Sequence, residues 1–127
     1  MPAFHAPLDD IRYLLHDVHD IGQLAALPGF EEATPEMIDE VLRGGARFCE
    51  EVLFPLNQSG DAEGVHLANG LVTTPAGFKE AYQRYTADGW TAISAEPTYG
   101  GTGLPEMVRF VMEELLCSAN LSFSMYP

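Results

Sequence analysis

Apolar residues fall at helical spacing along most of the chain. Leu8, Ile11, Leu15 and Val18 form one row, and Leu14, Val18, Ile21 and Ala25 form a second beside it. This predicts a first helix that Pro28-Gly29 stops near Leu27. Its stripe is too wide to stay wet, so it must pack on a partner. Met1 to Pro7 reads as a short extended lead. Thr34-Pro35-Glu36 supplies a capping hydroxyl, a proline at the first helical position and an acid in the first turn. The helix it opens carries Ile38, Val41, Leu42, Gly45, Cys49, Val52, Leu53 and Leu56 on one face. Gly44-Gly45 costs that helix about 1 kcal/mol per glycine relative to alanine, which close approach of another helix would offset. Pro55 is expected to bend or end it, leaving Asn57 to Gly64 as a loop.

Asn69-Gly70 separates two short apolar runs, Val65 to Ala68 and Leu71 to Thr73, and predicts a β-hairpin. A lone hairpin is marginal, so it is expected to lean on the helices. Thr74-Pro75 repeats the earlier helix-start pattern. The third helix carries Phe78, Ala81, Tyr82 and Tyr85 on one face and stops at Gly89. Trp90, Ile93 and Ala95 then read as an extended run into Tyr99-Gly100-Gly101-Thr102-Gly103. A fourth helix begins near Leu104 or Pro105, apolar on nearly every side, and ends at Asn120 or breaks there and resumes through Leu121 to Tyr126. The predicted class is all-α, a helical bundle with one small β-hairpin.

Charge and cysteine usage narrow the function. Six basic residues stand against nineteen acidic ones, a net charge of −13. That argues against nucleic acid and anionic membranes as partners, since phosphate attraction needs clustered cations. Cys49 and Cys117 both read as buried free thiols. Neither a secretory signal nor an apolar run of membrane-spanning length is visible, and a cytoplasmic location is the expectation.

Candidate chemistry is sparse. His16 and His19 share a helix face beside Asp17 and Asp20, but a third metal ligand at a recognisable spacing is missing, and a solvated polar face explains them. Asn57, Ser59, Asp61 and Glu63 alternate oxygen side chains as in a calcium loop, without the glycine and distant glutamate such a loop needs. His66 reads as a strand side chain. The glycine loop lacks the spacing and Lys-Ser/Thr pair of a P-loop, and lacks the preceding strand of a dinucleotide fingerprint. It reads as a loop passing close to another backbone or ligand. The pairs Glu31-Glu32, Glu50-Glu51 and Glu113-Glu114 read as solvated faces, because adjacent helical residues diverge.

Glu96-Pro97-Thr98-Tyr99-Gly100-Gly101-Thr102-Gly103-Leu104-Pro105, followed by Glu113-Glu114-Leu115 and Cys117 to Asn120, resembles the N-terminal α-helical domain of FAD-dependent acyl-CoA dehydrogenases. Ala6 to Leu15, Glu51 to Asn57, Thr74 to Phe78 and Phe123 to Pro127 resemble a subgroup that includes the 3-methylmercaptopropionyl-CoA dehydrogenases. The resemblance implies an extension helix over 1–33 and the helical domain over 34–127, cut before the middle β-domain. It implies an acyl-CoA substrate, FAD bound mostly by the missing middle and C-terminal domains, and a homo-oligomer. In the family a glutamate of the C-terminal domain takes the α-proton and FAD takes the β-hydride; no acid of this chain matches that position. The resemblance places Phe123, Ser124, Met125 and Tyr126 at the far end of the acyl pocket, and Tyr99, Gly100 and Gly101 on a loop approaching it. The rival readings are a non-catalytic helical protein-interaction module and a small metal-binding protein using His16 and His19.

Overall fold

The computed structural model describes residues 3–127; the first two residues of the extended lead lie outside them. Six α-helices and one two-stranded sheet follow in order: α1 (Leu8–Arg12), α2 (Pro35–Phe48), α3 (Phe54–Glu63), β1 (His66–Ala68), β2 (Leu71–Thr73), α4 (Phe78–Ala87), α5 (Glu106–Ala119) and α6 (Leu121–Ser124). Helices dominate and the hairpin is the only sheet among the described residues, as the spacing predicted. No helix among those residues is long and apolar enough to cross a membrane.

The first predicted helix is not continuous. After α1 the chain widens into a π-helical segment, Tyr13–Val18, and Asp20 then takes a left-handed conformation (φ 46°) before a 3₁₀ segment, Ile21–Ala26. The break turns Ile21 inward, so Ile11, Leu15 and Ile21 all join the common core. Asp39 on α2 holds this segment in place. Its carboxylate accepts from Arg12 Nη2 at 2.7 Å and lies 2.8 Å from His16 Nε2. Glu50 accepts the backbone N–H of Ala6 at 2.8 Å. Partial burial pushes the Asp39 carboxyl upward, but hydrogen bonds from His16 and Arg12 and the charge of both outweigh it, holding the carboxyl below its usual range. A depressed folded-state pKa contributes stability above the unfolded value and loses it as pH falls through the folded one. Asp39→Asn should therefore destabilise the chain by about 1–2 kcal/mol near neutral pH. The gap to the parent should close in acid, as pH-dependent denaturation would show.

α2 also runs on beyond its predicted end. A π-helical turn, Cys49–Leu53, carries it into α3, and helical backbone continues through Pro55 to Glu63. Proline clashes with the carbonyl one turn behind it, and a wider turn at that place relieves the conflict. The stretch expected as an oxygen-rich loop is therefore helical, with Asn57, Ser59, Asp61 and Glu63 on α3 rather than around an ion. Gly64, at φ 72°, ends it.

The two interior glycines have the predicted cause. A Cβ on Gly45 would come within 2.5 Å of Met112 Sδ on α5, and one on Gly44 within 3.2 Å of the Trp90 ring. α5 and Trp90 thus press onto the α2 backbone where side chains are absent. The hairpin forms where Asn69-Gly70 predicted it, with Leu67 opposite Val72 and both turn residues at positive φ. It does not lean on the helices as expected, because every residue of both strands is exposed. α4 starts at Phe78 behind left-handed Gly77, later than Thr74-Pro75 suggested. The run expected to be extended instead coils as a 3₁₀ turn, Trp90–Ala92, and Ile93 after it keeps helical dihedral angles (φ −52°, ψ −46°).

Aromatic rings close the core. Phe123 of α6 is fully buried, with ring centroids of Tyr85, Phe78, Tyr126 and Phe48 at 5.8, 6.2, 6.2 and 6.5 Å. Cys49 is buried, as expected, and burial first, then Glu50, pushes its thiol up to about 12. Cys117 is free but exposed, against expectation, because it lies on the outer side of α5.

Candidate functional site

The glycine loop is built by its own carbonyls. A 3₁₀ turn, Pro97–Tyr99, leads to Gly100 at φ 85°, and Gly103 follows at φ 71°. Between them, the missing side chain of Gly101 leaves room for the backbone of Ala95, whose carbonyl would overlap any Cβ there. Six consecutive N–H groups are occupied internally. Tyr99 and Gly101 donate to Glu96 O, Gly100 to Pro97 O, Thr102 to Ala92 O, Gly103 to Ala95 O and Leu104 to Ile93 O, at 2.9–3.1 Å. Phosphate cradles work by pointing free N–H groups at the ligand. This loop offers none from Tyr99 to Leu104, so it does not fit the pyrophosphate of FAD. It is a clamp that fixes the start of α5, with Leu104 buried beneath it.

α5 then carries Val108, Met112, Leu115, Leu116 and Ala119 into the core, while Phe110 stays 62% exposed. Its outer face is polar where Arg109 bridges Glu106 at 2.6 Å and Glu113 at 2.8 Å. The Ser94 hydroxyl, then Arg109, hold the Glu106 carboxyl below its usual range. The three sequence-adjacent acidic pairs supply no dyad. Glu31 accepts from Gly29 N–H, Glu50 from Ala6 N–H and Glu113 from Arg109. Among the described residues no three His, Cys, Asp or Glu side chains group as a metal site, and His16 is engaged with Asp39.

Asn120 joins α5 to α6. It is fully buried; its Nδ2 donates to Leu53 O at 3.1 Å, and its Oδ1 accepts from Phe123 N at 3.1 Å and Ser122 Oγ at 2.9 Å. One side chain thus caps α6 and ties it to the π-helical turn behind α2. Asn120→Ala removes the cap and the tie to Leu53 O, a combined cost of about 2 kcal/mol. Urea denaturation of the variant measures it.

The residues expected near an acyl pocket are spread around this joint. Tyr99 is 85% exposed at the tip of the loop beside Gly100 and Gly101. Phe123 lies in the core. The Ser124 hydroxyl donates to Leu121 O at 2.7 Å and borders a hollow of about 160 Å³ that Trp90, Met112 and Pro127 also line. Met125 is 82% exposed, and Tyr126 packs on Phe78 and Phe123. Tyr126 borders a second, larger hollow of about 950 Å³ between β2 and α4, lined also by residues 72–80 and Tyr82. Tyr99, Gly100, Gly101, Phe123 and Met125 line neither. Sequence reasoning missed the larger hollow because it took Thr74-Pro75 for a helix start. The signal was Gly77, whose left-handed conformation (φ 86°) delays α4 and opens the space.

No family model matches the chain. A search of characterised proteins finds 3-methylmercaptopropionyl-CoA dehydrogenase from Ruegeria pomeroyi, 35% identical over 125 residues. The match covers 98% of this chain and 21% of that protein, so the chain spans about a fifth of the relative's length. The similarity bears out the acyl-CoA dehydrogenase resemblance, whose motifs were read from Ala6 to Pro127.

Proposed function

We propose, from its kinship with the acyl-CoA dehydrogenases, that this chain is the N-terminal portion of an oxidoreductase of that kind. The protein that carries it acts in the cytoplasm as a homo-oligomer and desaturates an acyl-CoA thioester between its α- and β-carbons. The single observation that carries the reading is 35% identity sustained over 98% of the chain. Residues 1–33 serve as the extension and 34–127 as the helical domain. FAD supplies the hydride acceptor when bound, held by parts of the protein outside this chain, as does the catalytic base. By itself the chain is inactive.

Its own contribution is a wall of the acyl pocket. Ser124, Met125 and Tyr126 follow a rigid joint, since Phe123 is anchored in the core and Asn120 fixes the turn before it. A soft thioether and a phenol ring suit an alkyl or thioether tail. Exposure of Met125 agrees with a side chain that meets a ligand rather than the core. The loop at Tyr99, Gly100 and Gly101 approaches the same pocket. In the full-length protein, Met125→Trp should shift the kcat/KM ratio of long over short acyl-CoAs by about tenfold toward the short ones. An unchanged ratio would remove Met125 from the wall. The pairing of buried joint and exposed tail favours this reading over an interaction module.

A further inference from the structure

The hollow between β2 and α4 shares Tyr126 with the proposed acyl wall, and the rest of its lining takes no part in the dehydrogenase reading. At about 950 Å³ it falls within the ~300–1,000 Å³ range of small-molecule sites. Val72, Phe78, Tyr82 and Tyr126 supply its apolar walls. The register sets Leu67 directly opposite Val72, so the apolar surface continues across the hairpin on the same side.

Its lining also holds Lys79, the only lysine in the chain. Among the described residues, Arg12, Arg43, Arg84 and Arg109 are each tied to a carboxylate. Lys79 is tied to none, and neither is Arg47, which lines neither hollow. An unpaired ammonium beside an apolar wall is complementary to an organic anion with an apolar body. The Thr74, Tyr82 and Tyr126 hydroxyls are further donors in the lining, while Glu80 beside Lys79 confines the anionic end to the lysine side.

We propose that this groove binds an amphipathic organic anion, with a carboxylate or phosphate end on Lys79 and an alkyl or aromatic body across Val72, Phe78 and Tyr126. The site shares only Tyr126 with the proposed acyl wall; Lys79 and residues 72–78 belong to it alone. The test uses the natural full-length protein and a decanoate carrying a photoreactive diazirine on its alkyl chain, with mass spectrometry of the labelled peptides. Decanoate, decyl phosphate and uncharged decyl maltoside serve as competitors. The expected result is labelling within residues 72–82, suppressed by either anion and not by the maltoside. Lys79→Glu should cut it about tenfold and Lys79→Arg only about twofold, with melting temperatures unchanged. Preferential suppression by one anion identifies the head group. Absence of labelling there, equal suppression by the maltoside, or labelling indifferent to Lys79→Glu would each overturn the proposal. Dehydrogenase activity is a separate readout, so loss of one reading leaves the other standing.

Discussion

Phe123→Ala is expected to remove about 3–5 kcal/mol of stability, the cost of deleting a fully buried ring from a packed core. Phe123 has no exposed surface and contacts four other aromatic rings, which between them come from α2, α4 and the segment after α6. Its removal leaves a void that rigid rings fill poorly, so little of the loss is recovered by relaxation. A stability of a few kcal/mol above threshold is ordinary for a domain of this size, so the variant should populate unfolded chain at room temperature. Phe123→Leu should recover roughly half of the loss, because it retains most of the apolar volume. Met125→Ala, two residues on and largely exposed, should stay within about 0.5 kcal/mol of the parent. Guanidinium denaturation of the three variants gives the comparison. A mild Phe123→Ala would mean that its ring borders a pocket instead of filling the core.

Gly101→Ala comes second, at about 3 kcal/mol. Its Cβ would overlap the backbone carbonyl of Ala95, which cannot rotate away as a side chain can. That carbonyl also accepts the Gly103 N–H, so moving it loosens the clamp that starts α5. Gly100→Ala supplies the control. Gly100 has a left-handed backbone but open space around it, so alanine there should cost only about 1–2 kcal/mol. Equal melting temperatures for the two variants would contradict the close approach.

Much of the fold was legible because its signals are local. Thr34-Pro35 marked the start of α2, Asn69-Gly70 set the hairpin, and Asn120 marked the break before α6. The glycine pair at 44–45 predicted a close neighbour, and Met112 and Trp90 fill that role. What was misread depends on tertiary context. The stretch after Pro55 was expected to be a loop, yet a π-helical turn before the proline lets helix continue to Glu63. Asp20 breaks the first helix in a left-handed conformation that no periodicity reveals. The exposed hairpin defied the expectation that apolar strands find cover.

The functional surface was harder to read. The glycine loop could be recognised as a close backbone approach, but only its hydrogen bonds show that every N–H from Tyr99 to Leu104 is occupied. The resemblance grouped Phe123 with Ser124, Met125 and Tyr126, although helical geometry sends the first into the core and leaves Met125 outside. Lys79 and the hollow beside it left no motif, since the space arises from how late α4 begins.

Anaerobic titration of the purified full-length protein with a panel of acyl-CoA thioesters, 3-methylmercaptopropionyl-CoA among them, tests the central claim most directly. The account predicts a yellow protein whose flavin absorbance is bleached by at least one thioester, with the α,β-unsaturated product formed in equal amount. A colourless protein, or a flavin that no thioester in the panel reduces, would contradict it.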